Sequence, residues 1–198
     1  MKIILASNNE GKIIELQALL DAFNYTIIPQ TQLGIPEIAE TGLTFVENAI
    51  AKARHACQLG KQPAIADDSG LVVPALAGAP GIYSARYAGK NATARANIEK
   101  LLSEMRDVLP EKRGAHFHCT LVYLTHAEDP APLICEGIWI GSILSAPTGT
   151  RGFGYDPLFY DPYEKCSAAE LPLEKKNKIS HRGQALRTLL EKLKKQTM

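Results

Sequence analysis

With 198 residues, 45% hydrophobic and 22% charged, the chain has the make-up of a globular protein long enough to bury a sizeable core, and a single domain over 1–198, compact or two-lobed, is expected. A formal net charge of +1 excludes an overall field for gripping a nucleic-acid backbone, so no nucleic-acid partner is expected and any phosphate ligand should be small and locally held. No apolar stretch approaches the ~20 residues that cross a bilayer, and the opening apolar run is too short for a signal peptide, so the expectation is a cytoplasmic protein with no membrane partner.

In chain order, KIILA (2–6) is a short apolar run ended by a polar turn. Ile13, Ile14, Leu16, Leu19 and Leu20 then recur at the spacing of a helix face, which gives strand, loop, helix. The loop, ASNNEGKI (6–13), nearly matches a phosphate-binding P-loop, with Ala6 in place of the first glycine and Ile13 in place of the magnesium-binding hydroxyl. A strand end feeding a helix N-terminus offers open N–H groups and a positive dipole end, and Lys12 adds a full charge. Asn8, Asn9 and Gly11 equally suit a plain turn and cap. If the loop does hold phosphate, the metal ligands must come from carboxylates elsewhere.

YTIIP (25–29) reads as a second strand, followed by a loop and then by Thr44 and Glu47, a capping box for a helix running to about residue 59. Glu40 precedes that box and is not needed by it, so it is either a solvated loop glutamate or a ligand for a cation. PAIAD and LVVPAL flank DDSG (67–70) and predict two strands around a tight turn. Asp67 and Asp68 could present oxygens to Mg²⁺, but in an extended strand they point to opposite faces, so at most one should ligate directly. After the loop GAPGIYSARYAG, residues Ile98, Leu101, Leu102, Met105 and Val108 predict an amphipathic helix.

AHFHCTLVYL and PLICEGIWIGSIL predict two long strands, with Phe117, Cys119, Leu121 and Tyr123 on a core-facing side. His116 and His118 share a strand face but have no third ligand nearby in sequence. GTRGFGYDP (149–157) is either a Gly-rich bend or a backbone able to approach a planar ligand on which Phe153 stacks. Lys176 lies in KKNK, which in isolation reads as a solvated charge run. A last helix starts at about Ser180, with Leu186, Leu189, Leu190 and Leu193 inward and Lys192, Lys194 and Lys195 complementing its C-terminus. His181 and Arg182 in its first turn oppose the helix dipole, a placement that a ligand with acceptor oxygens would justify. Cys57, Cys119, Cys135 and Cys166 form no C-x-x-C pair and are expected as buried free thiols. Helices mixed with hairpin- and crossover-linked strands imply an α/β fold with a mixed sheet.

In this order, SNNEGK, ETGLTFVENA, AIADDSGL, GAPGIYSARYAG, GFGYDP and ISHRGQAL resemble the inosine triphosphate/xanthosine triphosphate pyrophosphatase family over nearly the whole chain. The resemblance implies two α/β lobes around a long mixed sheet, an active cleft between the lobes, and a homodimer. It implies that Ser7, Asn8, Asn9, Glu10, Gly11 and Lys12 cradle the triphosphate, that Glu40 and Asp68 ligate Mg²⁺, and that Asp68 is the catalytic base. Ser69, Phe153, Gly154, Tyr155, Asp156, Lys176, His181 and Arg182 correspond to substrate contacts, with Phe153 and the His-Arg pair near the base. Arg182 and backbone N–H groups can only donate, which suits a 6-keto purine rather than adenine. Arg151 departs from the family pattern, standing where a glycine is usual. The implied reaction is hydrolysis of non-standard purine nucleoside triphosphates (dITP, ITP, XTP) to monophosphate and pyrophosphate. The alternatives are a pyrophosphatase for pyrimidine or modified nucleotides and a nucleotide-binding sensor without turnover.

Overall fold

A computed structural model of the protein describes residues 2–20 and 25–196. The strands are β1 (Lys2–Ala6), β2 (Thr26–Pro29), β3 (Ala64–Val72), β4 (Gly114–Leu124), β5 (Leu133–Ile143), β6 (Phe159–Asp161) and β7 (Cys166–Ser167). The helices are α1 (Glu10–Leu20), α2 (Phe45–Gly60), α3 (Ala94–Glu104), α4 (Leu173–Ile179) and α5 (His181–Gln196). The strands form one mixed sheet in the order β2-β1-β3-β4-β5-β6-β7. β1 runs parallel to both β2 and β3, whereas β6 is antiparallel to β5 and β7.

The chain divides into two compact units, the first made of Met1–Asp68, Cys119–Gly137 and His181–Met198, the second of Ser69–His118 and Ile138–Ser180. In the first unit β1 is covered on both faces, which is why its sequence is a continuous apolar run. Ile3 and Leu5 pack with Leu16 and Leu20 of α1 and with Leu186, Leu189 and Leu190 of α5. Ile4 and Ala6 pack on the alanine-rich side of α2, with Ala49, Ala53 and Ala56. The second unit buries Leu101, Met105, Phe117, Trp139 and Phe159, with the Phe117 and Phe159 ring centroids 4.6 Å apart.

The capping box is present: Thr44 accepts from Glu47 N while Glu47 accepts from Thr44 N, and α2 runs to Gly60. As the alternation predicts, Phe117, Cys119, Leu121 and Tyr123 are all buried. Other expectations are corrected. DDSG is no turn but the middle of one strand, β3, because cations compensate both acids where they stand and neither needs a solvent-facing bend. α3 ends at Glu104, where Met105 leaves helical geometry and Arg113 Nη1 takes the Met105 carbonyl at 2.7 Å, so Val108 lies beyond the helix. Ile14 faces outward at 58% exposure while Glu15, an acid, is buried in its stead; the Leu19 side chain lies outside the described set. Cys57, Cys119 and Cys135 are buried free thiols, but Cys166 is only half-buried. KKNK belongs to a short helix, α4, and its Lys176 is buried rather than solvated. Among the described residues no helix is long and apolar enough to cross a membrane.

Gly137 on β5 sets how closely α5 can lie on the strand. A Cβ there would stand 2.0 Å from the His181 carbonyl oxygen and 2.8 Å from Ala185 N, both backbone atoms that no rotamer change can move. Gly137→Ala should therefore lower the unfolding free energy by about 1–3 kcal/mol, as overpacking does. Chemical denaturation measures it, and an unchanged midpoint would mean that α5 is not seated there.

Candidate active site

The near-P-loop is built as a strand end meeting a helix start. β1 stops at Ala6 and α1 starts at Glu10. Asn9 caps the helix, its Oδ1 accepting from Lys12 N at 3.0 Å, and Asn9 N donates to Ser7 Oγ at 3.2 Å. Asn8 Oδ1 accepts from Gln30 Nε2 at 2.8 Å, which ties the loop to the turn after β2. Asn8, Asn9 and Glu10 are exposed, while Lys12 turns its ammonium inward to Asp67 Oδ1 at 2.5 Å.

Asp67 and Asp68 emerge on opposite faces of β3, as strand alternation requires. Asp67 is fully enclosed: Lys12 holds one carboxylate oxygen, and the other takes Arg182 Nε at 2.8 Å and the Cys119 thiol at 3.4 Å. Arg182 Nη1 continues the chain to Glu15, also buried. Burial opposes ionisation of Asp67, but Arg182 and then Lys12 outweigh it and hold the carboxyl well below the usual aspartate range. The same carboxylates keep Arg182 above its ordinary value despite burial.

On the other face, Asp68 Oδ1 meets Lys52 Nζ at 2.8 Å, and the same ammonium reaches Glu40 Oε1 at 2.9 Å and the Asp67 carbonyl oxygen at 2.8 Å. Burial raises the Asp68 carboxyl above the usual aspartate value, and Lys52 only partly offsets it. Three oxygens thus converge on one cation, a donor set of hard oxygens that fits Mg²⁺. Among the described residues no group of three or more His, Cys, Asp or Glu side chains forms a metal cluster, and the His116–His118 pair gains no third ligand.

The second unit carries Ser69, Phe153, Gly154, Tyr155, Asp156 and Lys176. Gly149, Gly152 and Gly154 have φ of 82°, 72° and 60°, and a Cβ on Gly152 would lie 2.0 Å from Asp156 Oδ2, so the carboxylate can fold back under its own loop. Asp156 Oδ2 accepts from Phe153 N at 2.8 Å and from Lys176 Nζ at 2.5 Å, and Lys176 stands 5.1 Å from the Phe153 ring centroid. Tyr155 donates its hydroxyl to the Ser84 carbonyl at 2.9 Å, which ties this loop to the GAPGIYSARYAG segment. Ser69 is half-buried on β3. Arg151 has no positive φ, so its backbone accepts a side chain without strain. Its Nη1 donates to the Glu170 carbonyl at 2.9 Å.

Lys12 and Arg182 meet at Asp67, Glu40 and Asp68 meet at Lys52, and Phe153, Asp156 and Lys176 form a third group. His181 is buried at the start of α5. Sequence reasoning missed Lys52, Asn48, Glu15 and Gln30. The signal for the first two was their i, i+4 spacing on the helix that follows Glu40; a buried Glu15 could have been read only with its arginine in view.

The two aspartates should answer differently to neutralisation. Asp67's folded pKa lies below its unfolded one, so its contribution is present above the ordinary aspartate range and is lost only as pH falls through the depressed value. Asp68's lies above, so its ionisation at neutral pH weakens the fold relative to its protonated form. Asp67→Asn should cost about 3–5 kcal/mol at pH 7, since it strands buried cations. Asp68→Asn should melt at or above wild type. Paired thermal melts check the split, which fails if the two variants are equally destabilised.

The sequence matches the Ham1 family over residues 3–192. It is 58% identical over 193 residues to proteins named dITP/XTP pyrophosphatase from Escherichia coli strain K12 and from Yersinia pseudotuberculosis, covering 98% of this chain and 98% of each relative. Among solved structures, a HAM1 protein from Coxiella burnetii superposes with a TM-score of 0.91 at 51% identity, covering 98% of this chain and 99% of that one. The Staphylococcus aureus Ham1 protein gives 0.87 at 40% identity, covering 99% and 100%. Sequence and backbone thus match one family over nearly the whole chain, and the chain belongs to the Ham1 family.

Proposed function

We propose that this chain acts over 1–198 as a single pyrophosphatase domain, hydrolysing non-standard purine nucleoside triphosphates (dITP, ITP, XTP) to the monophosphate and pyrophosphate. The observation that carries this reading is the convergence of Glu40, Asp68 and the Asp67 carbonyl on the Lys52 ammonium, beside the β3 aspartate that anchors Lys12 of the phosphate loop. The name of its 58%-identical relatives, dITP/XTP pyrophosphatase, supports the choice of substrate.

In this mechanism Ser7 to Lys12 bind the triphosphate through the amino end of α1, and Glu40 and Asp68 are the residues that would hold Mg²⁺. The metal, when bound, supplies charge neutralisation at the phosphate oxygens. Lys52 and Lys12 add cationic charge near the phosphates. Asp68, its basicity raised by burial, orients and deprotonates the water that attacks the α-phosphorus, so the bond to the β-phosphate breaks and pyrophosphate departs. Phe153, Gly154, Tyr155 and Asp156, with Ser69, Lys176, His181 and Arg182, take the nucleoside end. The reading includes a homodimer working in the cytoplasm on free nucleotides.

A pyrophosphate-release assay over ITP, XTP, GTP, ATP and dTTP, without added inorganic pyrophosphatase, tests this function. ITP and XTP should exceed ATP by at least ~10²-fold in kcat/KM, the discrimination available to a site that donates to a 6-keto oxygen and is left unpaired by an amino group. Orthophosphate and a nucleoside diphosphate appearing first, or preference for dTTP, would overturn it, and binding without turnover would make the chain a sensor. Asp68→Asn should reduce turnover of ITP by about 10²–10⁴-fold; a folded variant retaining a tenth of wild-type activity would remove Asp68 as the base.

A further inference from the structure

We infer that Asn48 is the positioning residue of the cation site, a single amide that fixes both the loop of Glu40 and the carboxylate of Asp68; the inference rests on the metal-ligand reading above. Asn48 lies one residue after Glu47 of the capping box and is 1% exposed, on the buried side of α2. Its Oδ1 accepts from Gly42 N at 2.8 Å, and its Nδ2 donates to Asp68 Oδ2 at 3.3 Å. The orientation of the amide follows from its neighbours: only an oxygen can face the Gly42 N–H, and only an N–H should face a carboxylate. Both ends of the side chain are therefore committed, one to each ligand-bearing segment.

The consequence for Asp68 is directional. With Oδ2 held by Asn48, Oδ1 is the oxygen turned to Lys52, at 2.8 Å, where Glu40 Oε1 also converges. For Glu40 the effect runs through the backbone. Residues 36–42 have no helix or strand of their own, and the Gly42 N–H bond fastens this loop to α2 two residues after Glu40. The approach is so close that a Cβ on Gly42 would lie 2.8 Å from Asn48 Oδ1. α2 itself is fixed at this end by the capping box, in which Leu43 N and Thr44 N both donate to Glu47 Oε2 at 2.9 Å. Glu40, Gly42, Asn48, Lys52 and Asp68 are thus referenced to one helical turn. Partners that orient metal-ligating carboxylates in this way typically govern metal affinity by 10–100-fold.

The test is binding of Mn²⁺ alone to the full chain, followed by the loss of free-ion electron paramagnetic resonance signal, with no nucleotide present. Asn48→Ala, checked by thermal melting to be folded, should bind Mn²⁺ at least tenfold more weakly than the unsubstituted chain. The Mg²⁺ concentration giving half-maximal ITP turnover should rise in parallel, a shift that a merely structural role would not produce. A folded Asn48→Ala whose Mn²⁺ Kd stays within threefold, or an unsubstituted chain that takes up no Mn²⁺, overturns the inference. If Asn48→Ala does not fold, amide hydrogen exchange on the unsubstituted protein decides instead. The Gly42 amide should be protected although it lies in an irregular loop, and free exchange there overturns the inference. The Mn²⁺ result stands by itself: failure of ITP turnover with intact Mn²⁺ binding would sink the functional reading and leave the role of Asn48 in place.

Discussion

Two consecutive aspartates in a buried strand impose the constraint on which the site depends. Strand geometry sends Asp67 and Asp68 to opposite faces, and neither can stay ionised out of water without a cation. Each face therefore needs its own positive charge. On one it comes from Lys12 of α1 and Arg182 of α5, on the other from Lys52 of α2. Three helices are thereby drawn to one dipeptide, and the loop between β1 and α1 inherits its position because Lys12 is one of the required cations.

The same logic explains why Glu15 is buried in α1 where an apolar residue would be expected. Arg182 meets Asp67 through Nε and still carries a positive charge deep in an apolar core, which Glu15 matches. Breaking such a buried pair from one side leaves an uncompensated charge, so its members are tied to one another more than each is to the fold. Gly137 belongs to this arrangement as well: by letting the first turn of α5 lie against the β5 backbone, it places Arg182 within reach of β3.

Much of this was legible in the residue order. The apolar run of β1, the capping box of α2, the alternation in β4 and the leucine stripe of α5 each follow from a local rule, and the structure contains them. The failures share one physical cause, which is charge that is solvated in isolation and buried by a distant partner. Lys176 read as part of a solvated run because its partner, Asp156, lies twenty residues away, within a glycine loop. DDSG read as a turn because aspartate is a turn former when nothing neutralises it, and Lys12, Lys52 and Arg182 come from three separate segments. The resemblance named Glu40 and Asp68 together, but the lysine and asparagine that hold them were visible only as an i, i+4 pair on the following helix.

The opposite displacement of the two aspartates bears on their division of labour. A pair of like groups whose environments push their proton affinities apart is suited to different tasks. Asp67, saturated by Lys12, Arg182 and the Cys119 thiol, is a poor proton acceptor and serves as a fixed anion that holds cations in place. Asp68 is enclosed but less fully compensated, so its carboxylate remains the more basic of the two. One of its oxygens is held by Asn48 and the other is turned toward Glu40 and Lys52. Exchanging the two neighbourhoods would leave the dipeptide unchanged and reverse the roles, so the assignment of the proposed base to Asp68 comes from α1, α2 and α5 rather than from β3 itself.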